Sequence, residues 1–239
     1  DIASVPAVRA TAWDCPVVLL GPGAEVPDFD TVAIANLDAA YGVVRHLQRL
    51  GHKRIATITG PLSNRDALER LEGYRNAMRE GGVANTRTLE VTGDFSEPSG
   101  YQGTQALLQL SPPPTAMFVA NDVMAVGALG ALRDAGLRAP RDMAVVGFDD
   151  IGLARHLTPP LTTVRVDAYQ MGQRALQRLL RRDRGEPAPA RSHEVLSTSL
   201  VVRASCGAAP LETRRADDPK PPGARGIHEH GILLEKHRR

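Results

Sequence analysis

PTAMFVANDVMAVGALGALRDAGLRAPRDMAVVGFDDI, residues 114–151, decides how the chain folds. TAMFVA (115–120) is an apolar run of strand length, 122–135 has helical spacing rich in Ala and Gly, and MAVVGF (143–148) is a second apolar run. Strand, helix, strand in succession predicts a right-handed crossover unit. Runs that are apolar throughout, rather than alternating, fit a parallel sheet covered on both faces. Each run ends directly on polar residues: Asn121 and Asp122 after the first, Asp149 and Asp150 after the second. Ligands in such sheets sit beyond the carboxyl ends of the strands, so these positions are the first place to look for function.

The same alternation extends in both directions. PVVLL (16–20), TVAIA (31–35), RIATIT (54–59), LEVTG (89–93) and LTTVRV (161–166) read as strands, and HEVLSTSLVVR (193–203) as a final strand region. Ala40, Val43, Val44, Leu47 and Leu50 follow the spacing of an amphipathic helix that Asn36 can cap and Gly51 can end. A helix after Gly60 places Leu68, Leu71, Tyr74 and Met78 on one face. Residues 97–110 read as a helix, and 168–182 as another with Met171, Ala175 and Leu179 in register. From about 206 the chain turns rich in Pro, Gly and charge, so 206–239 is expected to be a disordered tail.

Composition excludes several classes. The chain has 239 residues, 42% hydrophobic and 23% charged, as in an ordinary globular protein. Only 4% are aromatic, so Ala, Val and Leu build the core. The formal net charge of +2 is too small to predict nucleic-acid binding by itself. No apolar run approaches the roughly 18 residues of a membrane span. The start, DIASVPAVRATAW, has no basic region followed by an apolar one, so it is not a secretory signal and a cytoplasmic protein is expected. Cys15 and Cys206 are far apart and form neither a metal spacing nor a disulfide framework; they read as buried or incidental thiols. His228, His230 and His237 could hold a metal, but a solvated tail is the simpler reading, and no metal or cofactor is expected.

Catalytic patterns are missing. GPGAE (21–25) and GPLSNR (60–65) are not phosphate loops, since neither has the following Lys. There is no GxSxG elbow and no HExxH, and His46, His52, His156 and His193 pair with no Ser or Cys in a recognisable order. No enzyme activity is expected. What the strand ends do offer is Arg70 after RIATITG, Phe95 after LEVTG, Asn121 after TAMFVA and Asp149 after MAVVGF. Successive units thus bring an arginine fork, a flat apolar ring, an amide and a carboxylate to one edge, a set that suits a small polar or hydroxylated ligand. Simpler roles stand beside these: Asn121, Asp122 and Asp150 could cap helices, Phe95 could be core, and Arg70 could be a surface ion-pair partner.

The chain resembles the core domain of LacI/GalR-type transcriptional regulators. The segments that carry the resemblance are HLQRLGHKRIATITGP (46–61), RLEGYRNAM (70–78), GDFSEPSGYQGTQALL (93–108), residues 114–151, PPLTTVRV (159–166), MGQRALQRLL (171–180) and LVVRAS (200–205). The resemblance implies a periplasmic-binding-protein-like α/β fold of type I, with two parallel-sheet lobes linked by three crossovers. Residues 1–34 and 167–192 would form part of the N-terminal lobe, and 35–165 with 193–205 the C-terminal lobe. By position, Arg70, Phe95, Asn121 and Asp149 look like the family's ligand contacts; Asp122 and Asp150 do not. The implied partners are a sugar-like small-molecule effector and a second copy in a homodimer, with no membrane contact. DNA contact would come only through an N-terminal helix-turn-helix that has no counterpart in this sequence. The N-terminal lobe is expected to be incomplete, and this chain is expected to bind effector weakly or not at all. Gly21 and Val166 stand where many members are polar, which argues against a lactose- or galactose-like ligand. The alternative on the same fold is a solute-binding protein of a sugar uptake transporter.

Overall fold

The computed structural model describes residues 16–21, 29–185 and 192–208. Two sheets form. A three-stranded parallel sheet has the order β1 (Val18–Leu20), β2 (Asp30–Ile34), β8 (His193–Leu196). A six-stranded sheet has the order β4 (Glu90–Thr92), β3 (Ile55–Thr59), β5 (Ala116–Val119), β6 (Ala144–Asp149), β7 (Thr162–Arg165), β9 (Ser199–Val201). All its pairings are parallel except β9 against β7. This is the expected α/β architecture of the periplasmic-binding-protein-like class. The chain passes between the sheets after β2, after β7 and after β8.

Four helices cover the larger sheet: α1 (Asn36–Arg49), α2 (Arg65–Glu80), α3 (Glu97–Leu108) and α4 (Asp122–Asp134). They pack in the pairs α1–α2 and α3–α4. Asn64, Ser96 and Asn121 cap α2, α3 and α4 by accepting from the N–H three residues on. Ile55, Ile58, Met117, Phe118, Val145, Val146 and Phe148 are almost wholly buried, as expected for strands covered on both faces. Tyr74 reaches in from α2 and donates its hydroxyl to the Ile55 carbonyl (2.8 Å).

The smaller sheet is held differently. α5 (Ala168–Asp183) packs on β1 and β2, but only Ala175 is fully buried, with Met171 and Leu179 half-buried. Buried Asp30 accepts both arms of the Arg182 guanidinium and the Ser192 N–H. Burial pushes the Asp30 carboxyl up, but these bonds outweigh it and hold the group below its usual value.

Several sequence expectations need correcting. Residues 193–203 are not one strand region: 193–196 pair with β2 in the smaller sheet, and 199–201 with β7 in the larger. The passage between sheets therefore falls at 197–198, not at 193. Leu68 points outward at 40% exposure, and Ala67 and Arg70 take the inner face of α2 instead. The expected tail does not begin at 206: Cys206 is 1% exposed and accepts the Thr162 hydroxyl (3.2 Å). Cys15 and 209–239, with the three tail histidines, lie outside the described residues. Among the described residues, no helix is long and apolar enough to cross a membrane and no cluster of metal-ligating side chains forms.

Candidate functional site

Arg70 is the centre of the arrangement. It lies on the inner face of α2, 7% exposed. Its Nε donates to Asn36 Oδ1 (2.8 Å) and its Nη1 to the Ala120 carbonyl (2.6 Å), while its guanidinium carbon sits 3.7 Å from the centroid of the Phe148 ring. A desolvated guanidinium on an aromatic face, with carbonyl oxygens in plane, is a pre-set fork. Burial pulls its pKa down, and Asp149, Asp66 and Glu69 pull it back up. The plain surface ion-pair reading of Arg70 is therefore wrong.

Asp149 ends β6 with its carboxylate 3.9 Å from Arg70 Nη1 and its side chain 37% exposed. Burial lifts the Asp149 carboxyl to about 6, against the pull of Arg70, and neighbouring Asp66 lifts it further. Its backbone φ is +112°, and that of Asp150 +53°. Such conformations cost of order 1–3 kcal/mol at a non-glycine residue and concentrate at ligand sites.

Phe95 also has a positive φ, +69°. Its ring lies over Gly60 so closely that a Cβ there would stand 2.2 Å from the ring tip. Gly60, the residue after β3, is thus what lets the aromatic ring lie across the strand end. Asn121 caps α4 through its oxygen and donates its amide to the Phe95 carbonyl (3.1 Å). Both its cap role and its place at the strand end hold. All four candidates gather at the carboxyl edge of the larger sheet, linked as Arg70–Asp149 and Asn121–Phe95.

Two neighbours escaped the sequence reading. Asn36 does not cap α1, whose start has no side-chain cap. It is 1% exposed, and its side chain instead accepts from Arg70 and donates to Asp66 Oδ1 (3.1 Å). Asn36 follows the apolar run TVAIA as Asn121 follows TAMFVA, so the same strand-end logic could have found it. Asp66 lies one helical turn before Arg70, and that i,i+4 spacing was the available signal. Burial raises its pKa, and Arg70 and the Asn36 amide oppose the rise.

The two neighbouring aspartates are not caps. Asp122 is fully buried; its two oxygens accept the Thr163 hydroxyl (2.6 Å) and the Ile151 N–H (2.9 Å). Asp150 accepts from Arg165 (2.7 Å) and Arg203 (2.6 Å), one oxygen each. Neither has a free oxygen aimed at the gap.

A larger concavity, about 650 Å³, lies elsewhere. It is an apolar groove along α4, lined by Val126, Leu129, Leu132, Leu137, Leu157 and Pro159. A polar hollow of about 290 Å³ borders the Arg70 cluster through Asn36 and Glu69. The convergence of buried polar groups, rather than hollow size, marks the candidate site.

Comparison with known proteins identifies the family. Residues 44–206 match the family described as periplasmic binding protein-like domain. The HTH-type transcriptional repressor CytR of Escherichia coli (strain K12) is 37% identical over 195 residues, covering 82% of this chain and 57% of that protein. The structure of a transcriptional regulator CelR–cellobiose complex superposes with a TM-score of 0.74 at 38% identity, over 79% of this chain and 58% of that one. The lac repressor dimer bound to operator and an anti-inducer gives a TM-score of 0.77 at 35% identity, over 86% and 61% of the two chains. The chain therefore spans little more than half the length of the curated relative.

Proposed function

This chain belongs to the periplasmic binding protein-like family and is homologous to the LacI-type repressors, and we propose that it is the effector-binding and dimerisation region of such a regulator. The observation that carries this is Arg70, a buried guanidinium shared between Asn36, at the exit of the smaller sheet, and Asp149, at the edge of the larger. A small polar, sugar-like molecule bound there contacts both sides of the seam. It favours one relative placement of the sheets through differential affinity for the two. That placement sets DNA binding by a helix-turn-helix in the full regulator, acting in the cytoplasm as a homodimer. Phe95 supplies a flat face, and Arg70, Asn121 and Asp149 supply the polar contacts. The CelR relative is described with cellobiose, which supports a glycoside-like ligand. No enzymatic role is proposed. The uptake-transporter alternative is not favoured, because the relatives are repressors.

Thermal-shift screening against sugars, polyols, nucleosides and nucleobases at millimolar concentration tests the reading. A ligand at ten times its Kd stabilises by about 1.4 kcal/mol, which is roughly 3–6 °C in a chain of this size. Asp149→Ala should abolish the shift given by the responding class. A response that survives in this variant refutes the site. Sedimentation of the native chain checks the dimer.

A further inference from the structure

Gly21 closes β1 with φ +63° and brings no side chain to the seam. The space a side chain would take there is already filled from the other side. Asp66 Oδ2 stands 3.1 Å from where a Cβ on Gly21 would be. Its other oxygen is held by the Asn36 amide, so the carboxylate is fixed with one oxygen facing the gap between the sheet ends. A helix-start acid that serves only the helix dipole sits in water. This one is half-buried, and burial works against its charge.

The charge balance around Arg70 follows. Its single guanidinium faces Asp66, Glu69 and Asp149. Glu69 is answered by Arg65 at 3.2 Å. Among the described residues, Asp66 and Asp149 are left to share one guanidinium, which is already committed to Asn36 and the Ala120 carbonyl. Among the described residues the site thus holds two carboxylates against one guanidinium, an excess of negative charge beside the group that would otherwise attract an anion.

We propose that Asp66 is the charge-selecting residue of this site: it accepts hydroxyl donors of a neutral ligand from across the seam and denies Arg70 to phosphate-bearing counterparts of that ligand. This rests on the ligand-binding reading above and adds to it a residue and a rule of exclusion. A neutral polyol gives its O–H groups to two carboxylates at no electrostatic cost. A phosphate must enter beside both, where attraction to Arg70 is cancelled and the desolvation cost remains.

The probe is inorganic phosphate, titrated into the full chain at pH 7.5 and constant ionic strength. Amide NMR shifts of Ala120, Asn121, Asp149 and Asp150 report binding at the site. Asp66→Asn keeps an oxygen and an amide at the same place and removes only the charge. It should bind phosphate at least tenfold more tightly than the native chain, about 1.4 kcal/mol. Glu80→Gln, the same charge change at the far end of α2, should not. Equal phosphate affinity in native and Asp66→Asn chains, or an equal gain in Glu80→Gln, overturns the proposal. Cellobiose, ribose and cytidine titrated against the same amides report on the underlying reading separately. If they shift these amides while Asp66→Asn leaves phosphate affinity unchanged, the site stands and the selector fails. If phosphate responds to Asp66→Asn and no neutral probe binds, charge exclusion stands and the polyol reading falls.

Discussion

Replacing Asp122 by Asn should make the chain less sensitive to pH while leaving its structure in place. Asp122 is 0% exposed, and burial lifts its carboxyl from 3.8 to about 6, even though the Thr163 and Ile151 hydrogen bonds favour the charged form. A folded-state pKa above the unfolded one means that the folded chain holds the proton more tightly. The stabilisation this brings is complete below the unfolded value, near pH 4, and is lost as pH rises through about 6. The full swing is about 3 kcal/mol, of which roughly half falls between pH 5.0 and 7.5. In Asp122→Asn the amide oxygen can accept the Ile151 N–H, and the amide nitrogen can donate to Thr163 Oγ1, a hydroxyl able to turn and accept. Urea unfolding at the two pH values, with m-values compared to confirm that the same surface is exposed, measures the difference. The variant should lose about 1 kcal/mol less than the native chain between pH 5.0 and 7.5. Identical pH slopes would show that Asp122 is charged in the fold at no cost, and the argument from burial would fail. Asp122→Ala, by contrast, orphans two buried donors and should cost about 2–5 kcal/mol at either pH.

Two further substitutions probe the ground under the site. Gly60→Ala puts a methyl group 2.2 Å from the Phe95 ring tip; differential scanning calorimetry should show a loss of about 1–3 kcal/mol, together with a weakened response to whichever ligand class stabilises the native chain. Asp150→Ala strands the half-buried Arg203, 16% exposed, more than the solvent-facing Arg165, and should cost about 2–4 kcal/mol at pH 7. Burial pushes the Asp150 carboxyl up, but bonds from Arg203 and Arg165 outweigh it and hold the group below its usual value. Its contribution is therefore present above the unfolded pKa and lost as pH falls through the folded one, so the gap between native and variant should close below about pH 4.

The strands were readable because a run such as TAMFVA is apolar on both faces, and that pattern has few other uses. The strand ends were readable for the same reason: polarity begins where burial stops. Partnership was not readable. Asn36, Asn121, Asp122 and Asp150 all follow apolar runs and all suit a helix cap, yet only Asn121 caps. Thr163, Ile151, Arg165 and Arg203, which claim the two aspartates, are 15 to 53 residues away from them in sequence. Only the sheet order brings them close. β8 was misplaced for a related cause. His193–Leu196 and Ser199–Val201 look alike as short apolar segments, and nothing local says that the chain changes sheets between them. Gly21 read as a gap in the polar lining, because the carboxylate that fills it comes from a helix in the other layer.

Asp149 and Asp150 show how one dipeptide divides two tasks. The two carboxyls are adjacent, on backbone of positive φ, yet their proton affinities move in opposite directions. Asp149 is lifted because burial outweighs a single arginine 3.9 Å away that is already engaged elsewhere. Asp150 is lowered because two arginines each give it a short bond. Those arginines are not arbitrary: Arg165 ends β7, just before the chain leaves for the smaller sheet, and Arg203 follows β9, just after it returns. The Asp149 backbone carbonyl also accepts the Val166 N–H (3.5 Å) on the outgoing segment. A ligand that pulled on the Asp149 carboxylate would therefore act one residue away from the clamp on both connections. It would do so through backbone held at positive φ, a strained conformation at a non-glycine residue. The preference of the ligand for one placement of the sheets need travel no farther than that peptide bond.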